Sequence, residues 1–369
     1  MSLSFDDILD WLRTEDPTAL DELFAMADEV RRREVGDAIQ LRGLVEISNH
    51  CARLCTYCGL RATTRQQRYR MSFKEVLACA QEAVRAGFGT IVLQSGEDLG
   101  LDAAYLCELI AAIRAQTPLA ITLSLGERPR DELSAFRDAG ADRYLLRFET
   151  SNAALFERIH PARTPDAPSR PQILQWLREL GFEVGSGVMV GIPGQTLGDL
   201  ARDIVRFGEL ELDMIGLGPF LPHPGTPLGE EAADRLLIPF GDMPRDEAAL
   251  LPAPNTVDMT CKMIALARLI RPSANIPSTT ALATLHPQGR VRGLCAGANV
   301  VMPNLTPLKY RTLYDIYPNK SNPSEVAEEG RGDLIRQIES IGRTLATGRG
   351  DSPSILRRRA MLKNPETNQ

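Results

Sequence analysis

No stretch of this chain approaches the 18 or so uninterrupted apolar residues that a membrane-spanning helix requires. The opening residues, Met1-Ser2-Leu3-Ser4-Phe5-Asp6-Asp7, contain no basic segment leading into an apolar run, so no export signal and a cytoplasmic location are expected. Positive charge is outnumbered: the net charge of −6 argues against nucleic acid or an anionic membrane as the main partner. No internal repeat is visible beyond an alternation of strand-like and helical runs. An even cysteine count is also missing. Seven cysteines without a leader argue for reduced thiols and metal ligation over a disulfide framework.

Three of those cysteines fall within Cys51-Ala52-Arg53-Leu54-Cys55-Thr56-Tyr57-Cys58, followed by Gly59. Thiolates at this spacing can hold three irons of a 4Fe-4S cluster and leave the fourth open to a small molecule. A structural zinc site with His50 as fourth ligand is the alternative that the spacing leaves standing. The other thiols, Cys79, Cys107, Cys261 and Cys295, are dispersed and are expected to pack in the core, so one cluster is expected.

With 369 residues, 43% hydrophobic and 24% charged, the chain suits one large enzyme domain with extensions. Strands are expected near 43–48, 90–94, 120–124, 144–148, 187–190, 214–217, 276–279 and 299–302. They are short and apolar, as befits strands buried on both faces, and helical patterns such as 72–86, 129–139 and 171–180 lie between them. Eight such units imply an α/β fold, a TIM-type (β/α)8 barrel with N-terminal helices and a C-terminal helical extension. The expected divisions are a helical segment 1–40, the barrel 41–322, a closing helix 323–346 and a polar, disordered tail 347–369. The connection between the sixth and seventh strands is far longer than an ordinary loop and reads as a lid or as decoration.

The cysteines follow the first strand, on the face where barrel active sites are built. Other strand ends carry Gln94-Ser95-Gly96-Glu97-Asp98, Ser124-Leu125-Gly126-Glu127, Arg147-Phe148-Glu149-Thr150 and Gly191-Ile192-Pro193-Gly194. Glycine there lets backbone approach a ligand, and carboxylates can pair with an amine or ribose hydroxyls. Arg147 and Glu149, two apart on an expected strand, should share a face that points into the barrel.

Together these residues resemble the radical S-adenosylmethionine superfamily, whose signature has this cysteine spacing and an aromatic, here Tyr57, before the third cysteine. The resemblance implies reductive cleavage of S-adenosylmethionine by one 4Fe-4S cluster held by Cys51, Cys55 and Cys58. It implies that Gly96, Glu97 and Asp98 meet the methionine amine, Glu149 the ribose, Arg170 the methionine carboxylate, and the segment at Gly191 the adenine. Strings such as Tyr57-Cys58-Gly59-Leu60-Arg61, Arg68-Tyr69-Arg70-Met71, Ala141-Asp142-Arg143-Tyr144 and Gly218-Pro219-Phe220-Leu221-Pro222-His223-Pro224 are similar to those of the HydE-type radical maturases of FeFe-hydrogenase. That likeness implies a small substrate or small iron complex, met by Thr122, Ser124, Arg147, Thr279, Thr280 and Tyr310. It further implies an electron donor such as ferredoxin or flavodoxin, and other hydrogenase maturases as partners. The chain departs from the family in having Phe148 where histidine is expected, an insertion at 229–254, and no accessory cysteine cluster after the last strand. The alternative is a paralogue in the biotin synthase and methylornithine synthase branch that acts on another small substrate.

Overall fold

The structure is a computed structural model that describes residues 3–162, 164, 166–232, 244–318, 320 and 328–363. Two helices, Phe5–Arg13 and Pro17–Val35, precede the first strand. The first starts at a reciprocal cap in which the Ser4 side chain accepts from the Asp7 amide and Asp7 reaches back to the Ser4 amide. The second starts at Asp16 with proline in its first turn. Such caps satisfy amides that a helix cannot, each contributing about 1 kcal/mol.

Among the described residues seven parallel strands follow: β1 Ala38–Ser48, β2 Thr90–Ser95, β3 Ala120–Ser124, β4 Arg143–Leu145, β5 Glu183–Val190, β6 Met214–Pro219 and β7 Val300–Val301. They lie in the order β6-β5-β4-β3-β2-β1-β7, and a short β8, Thr344–Leu345, joins β1. Successive strands are joined by helices, among them Phe73–Arg85, Arg130–Asp138, Arg170–Glu179 and Leu197–Glu209. The α/β barrel expected from the alternation is therefore present. Its apolar strands are covered on the outside: Val257–Ile270, buried along nearly its whole length, packs against the helices Pro17–Val35 and Leu197–Glu209.

Three differences from expectation have local causes. The run at 276–279 is not a strand: Asn275 bridges Met214 and Pro277 bridges Val300, and these isolated bridges connect β6 to β7. Pro277 has no amide hydrogen for a ladder, which keeps this segment irregular. β4 stops at Leu145, so Arg147 and Glu149 lie beyond a regular strand; Glu149 takes a positive φ of 63° and bridges Val188. The tail is the third. Residues 347–352 run beneath the barrel and the helix Pro353–Lys363 follows, whereas disorder was expected.

The tail is ordered because buried polar groups at the bottom of the barrel use its backbone. Arg143, wholly buried, pairs with Glu183 at 2.7 Å and Asp351 at 2.6 Å and donates to the Arg349 carbonyl at 2.8 Å. Thr90 donates to the same carbonyl at 2.8 Å, and Asn275 to the Gly350 carbonyl at 3.1 Å. Asp213 accepts both guanidinium nitrogens of Arg358 at 2.9 and 2.6 Å. Leaving such groups without partners would cost about 1–3 kcal/mol each.

The long connection after β6 contains short helices, Pro227–Glu231 and Arg245–Ala248, and packs back through the Ala249 and Leu251 carbonyls onto the start of the helix Leu197–Glu209. Its centre, 233–243, lies outside the described residues. So do part of the expected closing helix and the end of the tail.

Candidate active site

The cysteines lie on the irregular segment that leaves β1 at the C-terminal end of the barrel. Its shape is held from several sides. The Asn49 side chain donates to the carbonyls of Gln67 (2.8 Å) and Leu313 (2.7 Å) and accepts from the Tyr69 amide at 2.7 Å. The Ala52 amide donates to the Glu97 carbonyl at 2.9 Å and the Thr56 amide to the Ile159 carbonyl at 2.9 Å. Arg68 donates to the carbonyls of Asn49, Leu60, Arg61 and Thr64.

Cys51, Cys55 and Cys58 all line one cavity of about 370 Å³ that descends from this loop into the barrel. Burial raises all three thiols, Cys55 to about 12 and Cys58 further. In such a pocket thiolates persist when a metal compensates their charge. Three sulfurs lining one chamber with room for a small molecule fit an iron–sulfur cluster with one open iron. Among the described residues no three His, Cys, Asp or Glu side chains converge closely enough for a single metal ion, and His50 does not line the cavity. The mononuclear zinc alternative therefore gains no support.

Beside the thiols the wall carries polar groups. Glu97, Ser124, Arg147, Glu149, Arg170 and Tyr57 all line the cavity, as do Thr122, Thr279 and Thr280. The Tyr57 hydroxyl donates to Glu149 at 3.3 Å, and Arg147 approaches the other Glu149 oxygen at 2.9 Å. Arg147 and Glu149 thus reach the interior together, as expected, although loop backbone rather than strand alternation places them there. Phe148 turns outward onto Phe207, with ring centroids 5.7 Å apart. Its difference from the family therefore falls outside the cavity.

Other expected residues lie elsewhere. Asp98 is buried but not on the cavity wall; Arg70 binds it at 2.7 and 2.8 Å and Ser48 at 2.6 Å. Its role is to hold the β2 loop against β1. Gly96 also lies off the wall, packed so closely behind the cysteine loop that a Cβ would sit 2.8 Å from that of Cys51. Gly191 donates to the Gln195 side chain at 2.8 Å and shapes the turn after β5 without lining the chamber. Tyr310 is a correction: it stacks on Tyr69 at 4.5 Å and donates to Glu75 at 3.0 Å, which turns it away from the cavity. The expected core placement of Cys295 is also corrected. It is exposed at the end of the helix Gly289–Cys295.

The structure adds a charged cluster that residue types alone did not single out. Arg53 approaches Glu127 at 3.3 Å and Glu97 at 3.5 Å, and Arg170 donates to Glu127 at 3.0 Å. His160 lies between the two guanidinium groups: its Nδ1 accepts from Arg53 at 2.8 Å, and Arg170 abuts Nε2. Burial, then Arg170 and Arg53, pull this imidazole down to about 2, so it is neutral. Burial, then Glu127, push the Glu97 carboxyl up. Two carboxylates and two guanidinium groups balance in charge around a neutral ring, beside the cysteines. Arg53 and Glu127 stood in the motifs but had no assigned role; for His160 the sequence carries no local signal.

A parallel barrel with three cysteines lining its chamber suits a radical enzyme, and residues 45–206 match the family model described as the Radical SAM superfamily. The "[FeFe] hydrogenase maturase subunit HydE" of Thermotoga maritima is 42% identical over 322 residues, 87% of this chain and 86% of that protein. The chain belongs to the HydE family of radical S-adenosylmethionine enzymes. The 3-methylornithine synthase of Methanosarcina acetivorans is 26% identical over 92% of this chain and 89% of its own. A crystal structure of methylornithine synthase (PylB) superimposes with a TM-score of 0.77 over 98% of this chain and 97% of that one, at 24% identity, which supports the fold alone. Membership implies a 4Fe-4S cluster and S-adenosylmethionine as cofactors. Among the described residues no helix is long and apolar enough to cross a membrane.

Proposed function

We propose that this chain serves FeFe-hydrogenase maturation by cleaving S-adenosylmethionine next to a small anionic substrate, such as a small iron complex, held in the barrel. The carrying observation is the likeness to the Thermotoga maritima maturase across 87% of the chain. The cavity supports an anionic guest. Thr122 Oγ1, Thr279 Oγ1 and Arg147 Nε are buried on its wall without hydrogen-bond partners, while Arg147 Nη2 is ion-paired with Glu149 at 2.9 Å. Buried donors left in that state are costly, and an anion in the chamber would satisfy them.

Cys51, Cys55 and Cys58 hold one cluster per chain in this reading. When bound, it supplies the electron that cleaves S-adenosylmethionine to methionine and a 5′-deoxyadenosyl radical. Glu97 orients the methionine amine, Glu149 the ribose, and Arg170 the methionine carboxylate. Tyr57 steadies Glu149, while Ser124, Thr280 and Arg147 line the path from cofactor to substrate. The apolar barrel wall excludes water from the radical. Ferredoxin or flavodoxin as donor, other hydrogenase maturases as partners, and a cytoplasmic setting complete the proposal; seven free thiols suit a reducing compartment.

The test is complementation. Supplying this gene to a host that lacks only its own HydE should restore active FeFe-hydrogenase, and Arg147→Ala should not. In vitro, Cys55→Ala should abolish 5′-deoxyadenosine formation. Wild-type protein that cleaves S-adenosylmethionine without restoring hydrogenase would move the chain to the methylornithine synthase branch, for which the 26% identity over 92% of its length is the supporting observation.

A further inference from the structure

Residues 51–74 carry six cations, Arg53, Arg61, Arg65, Arg68, Arg70 and Lys74, and no Asp or Glu, in a chain of net charge −6. Within the structure these cations divide. Arg53 is buried among Glu97, Glu127 and His160, Arg68 is spent on four carbonyls, and Arg70 is held by Asp98. Arg65 is exposed and makes no hydrogen bond or ion pair; Arg61 is half-buried, its Nε buried without a hydrogen-bond partner. Both stand on an arch, 59–68, whose carbonyls converge on Arg68 and whose Ala62 amide donates to the Arg53 carbonyl at 2.8 Å.

That hydrogen bond sets the arch beside Leu54, which is 46% exposed between Cys51 and Cys55. A second exposed leucine, Leu99 at 63%, is close by, because the Glu97 carbonyl accepts from Ala52 and Gly100 packs on the Arg70 guanidinium. Two acids beside this loop have partners: Asp98 in Arg70, and Asp315 in His223 at 3.1 Å. The outer face of the cysteine loop is therefore apolar at its centre and positively rimmed, against the sign of the whole chain. Interfaces of transient carriers use this pattern, charge guiding encounter and a small apolar contact registering it.

We propose that this face, Leu54 and Leu99 rimmed by Arg61 and Arg65, is the docking surface for an acidic one-electron carrier protein. The proposal rests on the radical-enzyme reading and names the partner of that same site. The occupant is a protein because a small reductant needs no rim of unpaired arginines, and it is acidic because its charge must complement them. In each turnover the reduced carrier is oxidised by one electron, and that electron is consumed in breaking the sulfonium carbon–sulfur bond of S-adenosylmethionine.

The test uses the reconstituted holoenzyme, with 5′-deoxyadenosine measured under two reductants, dithionite and a photoreduced acidic flavodoxin. Arg61→Glu combined with Arg65→Glu should lower the flavodoxin-driven rate at least about tenfold at low salt, the deficit shrinking as salt rises, and leave the dithionite-driven rate unchanged. Arg65→Glu alone should show part of the loss, Arg65→Lys should restore it, and Leu54→Ala should weaken the flavodoxin reaction at every salt concentration. Equal flavodoxin rates for wild type and the double variant at low salt would overturn the proposal. The same equality with a change in sedimentation would overturn it in favour of a second copy of this chain. Wild-type enzyme that makes no 5′-deoxyadenosine with dithionite would instead overturn the radical reading beneath it.

Discussion

Replacing Gly96 by alanine adds one methyl group at the point where the β2 loop supports the cysteine loop. That Cβ would lie 2.3 Å from the His50 carbonyl oxygen and 2.8 Å from the Cys51 Cβ. Ordinary contact needs more than 3.4 Å, so the two loops must separate by roughly 1 Å. Neither is free to yield. The Gly96 amide donates to the Ser48 carbonyl at the end of β1 at 3.2 Å, and the Glu97 carbonyl accepts from Ala52 at 2.9 Å, so the β2 loop is tied both to β1 and to the cysteine loop. Overpacking of this kind costs about 1–3 kcal/mol, and a displacement of that size at a reacting centre can lower a rate by about two orders of magnitude. Gly96→Ala should therefore fold with a modestly lower melting temperature, and make 5′-deoxyadenosine about tenfold to a hundredfold more slowly. Iron content, thermal melting and 5′-deoxyadenosine formation, measured on the same preparation, separate the two effects. Wild-type rates from the alanine variant would refute the claim that close packing behind Cys51 sets its position.

Glu97→Gln should raise KM for S-adenosylmethionine, whereas Asp98→Ala should lower the melting temperature and leave KM unchanged, because only Glu97 lines the chamber; steady-state kinetics and melting curves on both variants check this. His160 is held neutral with its folded pKa pulled down to about 2, so it contributes stability that is present above the unfolded value near 6.5 and is lost as pH falls towards the folded one. Between pH 6.5 and 5 that single group should remove roughly 2 kcal/mol, and urea midpoints of wild type and His160→Asn should differ in pH slope accordingly; parallel slopes would refute it. Asp351→Ala should cost about 1–3 kcal/mol in urea unfolding by leaving the buried Arg143 with one fewer carboxylate, and a change within about 0.5 kcal/mol would mean that the tail does not dock as described.

Features carried by neighbouring residues were legible. Three cysteines inside eight residues must share one loop, and apolar runs such as Thr90–Ser95 and Ala120–Ser124 can only be buried strands when helices alternate with them. Helix limits followed from proline and glycine. Pro171 in a first turn, and Gly87 and Gly181 beyond the ends, placed two helices to within a residue or two. The pairing of Arg147 with Glu149 was anticipated from their spacing, yet β4 ends before either and a positive φ at Glu149 brings them inward. The right outcome had a different cause.

What the sequence by itself determined is the chemistry on offer: a loop of three thiolates, carboxylates and cations at strand ends, and a barrel to carry them, since periodicity and capping act over a few residues. Which side chains serve that chemistry was decided by the tertiary structure. Asp98 and Glu97 are adjacent in the chain, yet Arg70, 28 residues before Asp98, draws it to a structural role and leaves Glu97 on the wall. Tyr310 is taken by Glu75, 235 residues away, and the polar tail is held by the buried Arg143, more than 200 residues before it. A side chain's function depends on whether its polar groups already have partners, and those partners come from distant parts of the chain that only folding brings within hydrogen-bond distance.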